Sequence, residues 1–151
     1  MSKTLLSVLI IFFVQNSIAQ SSKQVEWAYS AKKIADRIYE VHMLATIKGD
    51  YHLYSQDVGG EGPVATSFSF VKSPLIALDG RVKEAGKLIK KFEPAWSHDV
   101  RYYENTVDFV QVVKLKSNIK ADLAGKVEFM VCNDKQCLPP AEVEIKVNVG
   151  G

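Results

Sequence analysis

Cys132 and Cys137 are the only thiols of the chain, and they stand close together in the stretch CNDKQCLPP. Two cysteines at this spacing can form a local disulfide, which either stabilises a fold or opens and closes during thiol–disulfide exchange. Spacing alone favours the structural alternative, because most cysteine pairs of exported proteins are structural.

The small size of the ring favours the redox alternative. Closing about six residues constrains the unfolded chain by only about 2 kcal/mol. Lys135 favours a thiolate and Asp134 opposes it. Pro139 and Pro140 restrict the backbone just after Cys137, so they either shape a loop or hold the second sulfur in a fixed position. The residues are therefore compatible with either a weakly stabilising structural disulfide or a redox-active disulfide.

Other kinds of chemistry have little support in the sequence. The histidines His42, His52 and His98 lack the paired spacing of metal ligands, and two cysteines alone make a poor zinc site. No glycine-rich phosphate-binding loop lies between a predicted strand and a predicted helix, and no serine lies in the pattern of a nucleophile elbow. We expect no metal and no cofactor.

The first residues predict export. Lys3 precedes the apolar run of residues 5–14, and Ser17-Ile18-Ala19 has the small residues of a cleavage site. This run has ten residues, nine of them apolar, and is too short to span a bilayer, which needs about 20. We expect residues 1–19 to be a cleaved signal peptide and residues 20–151 to be one exported domain without stable membrane insertion.

The charge of the chain is close to balanced. The formal net charge is +2, and Lys3 is the only charged residue of the leader, so the predicted mature domain carries +1. This balance gives no electrostatic reason to expect nucleic acid as a partner.

Alternation of apolar and polar residues dominates the rest of the chain. It is clearest in residues 39–47, 107–115, 127–131 and 143–149. Turn residues separate these runs, at Gly49-Asp50, Gly59–Pro63, Asp79-Gly80 and Glu104-Asn105. About seven to nine short strands predict an all-β antiparallel sandwich. Only residues 82–91 resemble a helix, and Gly86 weakens that interpretation.

Three stretches of the chain resemble one family. VEFMVCNDKQCLPPAEVEIKV resembles the active-site region of the N-terminal periplasmic domain of the thiol:disulfide interchange protein DsbD. GDYHLYSQ and VRYYENTVDFVQVVKL resemble an upstream strand of that domain and its cap-loop region with the following strand. The resemblance implies an immunoglobulin-like β-sandwich. The cysteine loop here has four intervening residues, whereas well-known members have five.

The resemblance also implies a function and assigns roles to residues. A monomeric thiol–disulfide oxidoreductase of this type relays electrons between a membrane carrier and periplasmic thioredoxin-like proteins, including those of cytochrome c biogenesis. The alternative function is that of a non-enzymatic β-sandwich that binds a partner and keeps an inert structural disulfide. By position, Cys137 matches the cysteine that forms mixed disulfides and Cys132 matches the resolving cysteine. The other matched residues are a tyrosine cap and residues beside the site: Tyr102 and Tyr103 for the cap, and Tyr51, Tyr54, Pro139 and Pro140 beside the site.

Overall fold

The computed structural model describes residues 19–150, which are almost entirely β-structure. One short helix precedes eleven strands: α1 Ala19–Gln24, β1 Val25–Ala35, β2 Ile38–Ile47, β3 His52–Tyr54, β4 Ser67–Phe70, β5 Ile76–Gly86, β6 Ile89–Glu93, β7 His98–Tyr103, β8 Thr106–Leu115, β9 Ala121–Phe129, β10 Val131–Cys132 and β11 Ala141–Val149. The predicted signal peptide falls almost wholly outside the described residues.

Three antiparallel sheets form the two layers of a sandwich. One layer has the strand order β1-β2-β8-β5. The other layer combines β11-β9-β4 with a small sheet of order β10-β3-β7-β6. Strand β9 continues almost directly into β10, with Met130 between them, so this part of the chain connects the two sheets of the second layer. The predicted antiparallel β-sandwich is confirmed.

The main core lies between the layers. In β2 every second residue is buried, as the alternation predicted: Tyr39, Val41, Met43, Ala45 and Ile47. Phe109 on β8 and Phe129 on β9 are fully buried and contact the half-buried ring of Trp27, whose centroid lies 5.8 Å and 5.5 Å from theirs. These aromatic contacts join the two layers.

One detail of the sequence interpretation was wrong, and one weak alternative is excluded. The excluded alternative is a helix at residues 82–91, which belong to strands β5 and β6 and the connection between them. Asp79-Gly80 is not a turn between strands but part of β5, at an irregularity in its pairing with β8. Gln111 on β8 is buried there and donates hydrogen bonds to the carbonyl oxygens of both residues, at 3.2 and 3.3 Å. A buried amide therefore satisfies the irregular backbone of β5.

The part of the chain that the structure describes contains no helix that is both long enough and apolar enough to cross a membrane.

Candidate functional site

The small sheet β10-β3-β7-β6 separates two clusters of side chains. Leu53, Tyr103 and Val131 pair across neighbouring strands and are buried in the main core. Successive residues of a strand point to opposite faces, so His52, Tyr54, Tyr102 and Cys132 lie on the other face. Tyr54, Tyr102 and Cys132 form a second apolar cluster there with Val58 and Val100. The cysteine site is thus built on the face of the small sheet that points away from the main core.

A disulfide joins Cys132 to Cys137, and their Cα atoms are 4.0 Å apart. The two cysteines differ in solvent exposure. Cys132 belongs to β10 and is only 2% exposed, whereas Cys137 lies after the turn and is exposed. The residue after it, Leu138, is buried again, and its backbone N–H donates to the Val131 carbonyl at 3.0 Å. Cys132 is therefore anchored in the sheet, and Cys137 lies at the surface.

Hydrogen bonds fix the turn between the two cysteines. The Asn133 side-chain oxygen accepts from the backbone N–H groups of Lys135 and Gln136, at 3.0 and 2.9 Å. The Asn133 amide nitrogen also donates to the carboxylate of Asp50 at 3.2 Å. Gln136 donates to the Tyr51 hydroxyl at 2.9 Å. Asp50 and Tyr51 belong to the turn between β2 and β3, so that turn supports the cysteine loop.

Three aromatic rings pack against one another in the cleft that both cysteines line. The His52 ring is tilted by 31° against the Tyr102 ring, with centroids 4.2 Å apart. The Tyr54 ring meets the His52 ring edge-on at 5.2 Å, and the Tyr54 hydroxyl lies 3.2 Å from His52 Nε2. Sequence reasoning had given His52 no role. Its signal was its position two residues before Tyr54, which places both side chains on one face of a strand.

Burial shifts the ionisation of all three rings. It lowers the pKa of His52 to about 4, against a smaller opposing effect of the Asp134 carboxylate. It raises the pKa of Tyr54 to about 12, with Glu93 adding to the shift. It also raises the pKa of Tyr102. Desolvation disfavours the charged form of each group, so all three rings are uncharged at neutral pH.

Three other matched residues lie in different surroundings, one in the main core and two at the surface. Tyr103 belongs to the main core, where its hydroxyl donates to Glu84 at 2.6 Å and its ring meets Phe109 edge-on. Pro139 and Pro140 are exposed. The Pro139 carbonyl accepts a hydrogen bond from the buried Ser21 hydroxyl of α1, so the first helix contacts the segment just after Cys137.

A cleft of about 280 Å³ contains both cysteines in its lining. Its other side is the hairpin of β6 and β7, including the connecting residues Pro94, Ala95 and Trp96. Trp96 is 39% exposed and Phe92, also in the lining, is 57% exposed. Large apolar side chains therefore stand at the surface beside the disulfide. Sequence reasoning missed Trp96, because alternation within strands gives no information about the turn between two of them.

The glycine-rich loop of residues 59–63 packs against this hairpin. A Cβ atom added to Gly62 would lie 2.9 Å from the Trp96 indole, and one added to Gly60 would lie 2.9 Å from His98 Nε2. The His98 ring bridges the two segments, with Nε2 2.6 Å from the Glu61 carbonyl oxygen and Nδ1 2.8 Å from the Asp99 carbonyl oxygen. Both carbonyl contacts raise the pKa of His98. The glycines thus allow the close approach that holds Trp96 in place.

Among residues 19–150, no three histidine, cysteine or acidic side chains converge in a group that could hold a metal ion.

Residues 19–148 match the family model of the N-terminal domain of thiol:disulfide interchange protein DsbD. The chain belongs to this family. Membership and the bonded cysteine pair together make it a thiol–disulfide exchange module. No curated protein matches the chain in sequence.

Two solved structures share the fold. The N-terminal domain of Neisseria meningitidis DsbD in the reduced form has a TM-score of 0.56 at 13% identity, covering 90% of this chain and 94% of that chain. The N-terminal periplasmic domain of ScsB from Proteus mirabilis has a TM-score of 0.57 at 14% identity, covering 83% of this chain and 46% of that one. The fold is thus the immunoglobulin-like sandwich that the family resemblance implied.

Proposed function

We propose that this chain relays electrons from a membrane carrier to thioredoxin-like proteins of the periplasm through a reversible Cys132–Cys137 disulfide. The observation that carries the proposal is the unequal exposure of the two cysteine residues. A buried structural cysteine is inert, whereas a thiol that takes part in exchange must be accessible to its partner. Here one cysteine is 2% exposed and the other is exposed.

The exposure suggests the order of events. In the reduced domain the Cys137 thiolate attacks a partner disulfide, forms a mixed disulfide and displaces the first partner thiolate. Cys132 then loses its proton and attacks the Cys137 sulfur. The bond between Cys137 and the partner breaks, and the second partner thiolate leaves. The partner gains two electrons and two protons, and the domain disulfide is restored until the membrane carrier reduces it again.

The β6–β7 turn fits a shielding role in this scheme. A reduced dithiol in an oxidising compartment loses its electrons if every small oxidant can reach it. Trp96 and Tyr102 line the cleft that contains the sulfurs, so we assign the shielding to these two rings. Tyr103 lies in the main core, and we assign it a packing role.

A proposed export step completes the function. Cleavage after Ala19 would leave residues 20–151 as the periplasmic domain, with Ser21 close to its new N-terminus. The contact between Ser21 and Pro139 would then place that terminus beside the cysteine segment.

Equilibrium titration of the isolated mature domain against glutathione and thioredoxin tests this function. We expect both couples to reduce and reoxidise the disulfide while the domain stays folded. Structural disulfides have potentials below about −300 mV. A potential in that range, together with reduction only after unfolding, would support the binding module with an inert disulfide instead.

A further inference from the structure

His52 lies directly opposite Cys132 in the antiparallel pairing of β3 with β10. Directly opposite residues of two antiparallel strands project to the same face, with Cβ atoms about 5 Å apart. Both side chains also line the cleft that contains Cys137. An imidazole thus stands beside the buried sulfur, which is the sulfur that has to ionise before it can resolve a mixed disulfide.

The imidazole is held in one orientation. Tyr102 packs against its ring, and the Tyr54 hydroxyl lies 3.2 Å from Nε2. A neutral imidazole carries one N–H and one lone pair. When Nε2 donates to the Tyr54 oxygen, the lone pair on Nδ1 is free to take a proton.

Burial favours a neutral imidazole in the oxidised domain. It lowers the pKa of His52 to about 4, the Asp134 carboxylate opposes this shift, and the Lys91 ammonium adds a smaller lowering effect. The other titratable groups that line the cleft with His52 are Tyr54, Tyr102 and Glu93. A thiolate forming on Cys132 adds a negative charge beside the ring and raises its affinity for a proton. The ring therefore binds a proton more strongly when the neighbouring thiol ionises.

We propose that His52 accepts the Cys132 proton in the resolving step, an inference that rests on the exchange function proposed above. The Cys132 S–H bond breaks and its proton moves to the imidazole. The sulfur lone pair attacks the Cys137 sulfur, so the Cys132–Cys137 bond forms and the bond from Cys137 to the partner sulfur breaks. The departing thiolate takes the proton from the imidazolium, and His52 returns to its neutral form.

The resolving step can be observed without a protein partner. Reduced domain mixed with less than one equivalent of 5,5′-dithiobis(2-nitrobenzoate) releases one coloured thiolate when Cys137 attacks and a second when Cys132 resolves. Cys132→Ser identifies the second phase by abolishing it. The phase is then followed from pH 5 to pH 10 in the wild type, in His52→Gln and in His52→Phe, which keeps a ring against Tyr102. His42→Gln is the matched control, because His42 lies on β2 in the opposite layer and contacts Asp108.

A thiol of ordinary pKa is only a few per cent ionised at pH 7. We therefore expect both His52 variants to slow the second phase about tenfold or more at pH 7, and to converge on the wild-type rate above about pH 9. The control should follow the wild-type profile. Equal rates at all pH values, or a slowing that is the same at all pH values, would overturn the proposal, since a purely structural role has no such pH dependence.

Wild-type protein offers an independent measurement that does not depend on the folding of a variant. The His52 ring signals, followed by NMR in the reduced domain, should respond as the Cys132 thiol ionises, because a negative charge then forms beside the ring. Ring signals that do not respond to this ionisation would contradict the proposal. The reagent 5,5′-dithiobis(2-nitrobenzoate) also distinguishes a failure of the proposed His52 role from a failure of the proposed exchange function. Failure of these tests removes the role of His52 alone, whereas a domain that reacts with the reagent and not with thioredoxin-like proteins contradicts the proposed function.

Discussion

Tyr102 and Tyr103 are neighbours in β7, yet they belong to different cores. The Tyr102 ring packs against His52 under the disulfide, whereas the Tyr103 hydroxyl donates to Glu84 and its ring contacts Phe109. The cause is the pleat of the strand, which sends successive side chains to opposite faces. A pair that looks like one aromatic unit in the sequence is therefore divided between the site and the sandwich core.

This division predicts opposite effects of two alanine substitutions. Tyr103→Ala should lower the free energy of unfolding by about 3–5 kcal/mol, because it removes a buried aromatic ring. It should leave the reaction of reduced Cys137 with a small disulfide close to the wild-type rate. Tyr102→Ala should accelerate that reaction, because it opens the cleft beside the sulfurs.

Chemical denaturation and stopped-flow kinetics of both variants check this prediction. Tyr103→Phe serves as a milder control, since it keeps the ring and removes only the hydrogen bond to Glu84. An acceleration by Tyr103→Ala equal to that of Tyr102→Ala would show that the two tyrosines act together as a cap.

Trp96 should shield the disulfide. Trp96→Ala removes a large ring from the β6–β7 turn, so we expect reduced domain to react several-fold faster with small oxidants. Its stability should change little, because the ring is 39% exposed. Ile34→Ala is the matched control, since Ile34 is an exposed apolar residue of β1 in the opposite layer. Equal reaction rates in wild type and Trp96→Ala would show that Trp96 does not shield the disulfide.

The His98 bridge should make the packing around Trp96 depend on pH. Only the protonated imidazolium donates from both nitrogens, and both of its partners are carbonyl oxygens. The pKa of His98 is raised above its ordinary 6.5, so the bridge is complete below pH 6.5 and is lost as the pH rises through the raised value. Asp99, which pairs with Lys90, also favours the charged form.

NMR can follow the His98 ring and the Trp96 indole N–H through the same titration. We expect both to report one midpoint above 6.5, and His98→Gln to abolish the response of Trp96. A His98 midpoint at or below 6.5 would contradict the bridge, as would an unchanged response of Trp96 in the variant.

Strict alternation made β2 and β11 predictable. Residues 39–47 and 145–149 are buried at alternate positions, because one face of each strand meets the core and the other meets solvent. β5 was missed because Asp79 and Gly80 have the composition of a turn, and only the buried Gln111 of another strand explains why they lie within a strand.

The cysteine pair was predictable from local sequence, but its surroundings were not. The roles of His52 and Trp96 depend on which strands become neighbours and in which register. The pairing of β3 with both β10 and β7 brings His52 to Cys132 and Tyr54 to Tyr102. No local pattern in the sequence specifies that arrangement, since His52 and Cys132 are 80 residues apart and Tyr54 and Tyr102 are 48 residues apart.

The central claim is that exposed Cys137 attacks and buried Cys132 resolves. Trapping with a thioredoxin-like protein from the same organism tests it most directly, with the reduced variants Cys132→Ser and Cys137→Ser compared side by side. We expect Cys132→Ser to accumulate a stable mixed disulfide through Cys137, because the attacking thiol remains and the resolving thiol is gone. Cys137→Ser should trap little, because the remaining cysteine, Cys132, is only 2% exposed in the folded domain. Trapping through Cys132 alone would reverse the two roles, and trapping by neither variant would contradict the account.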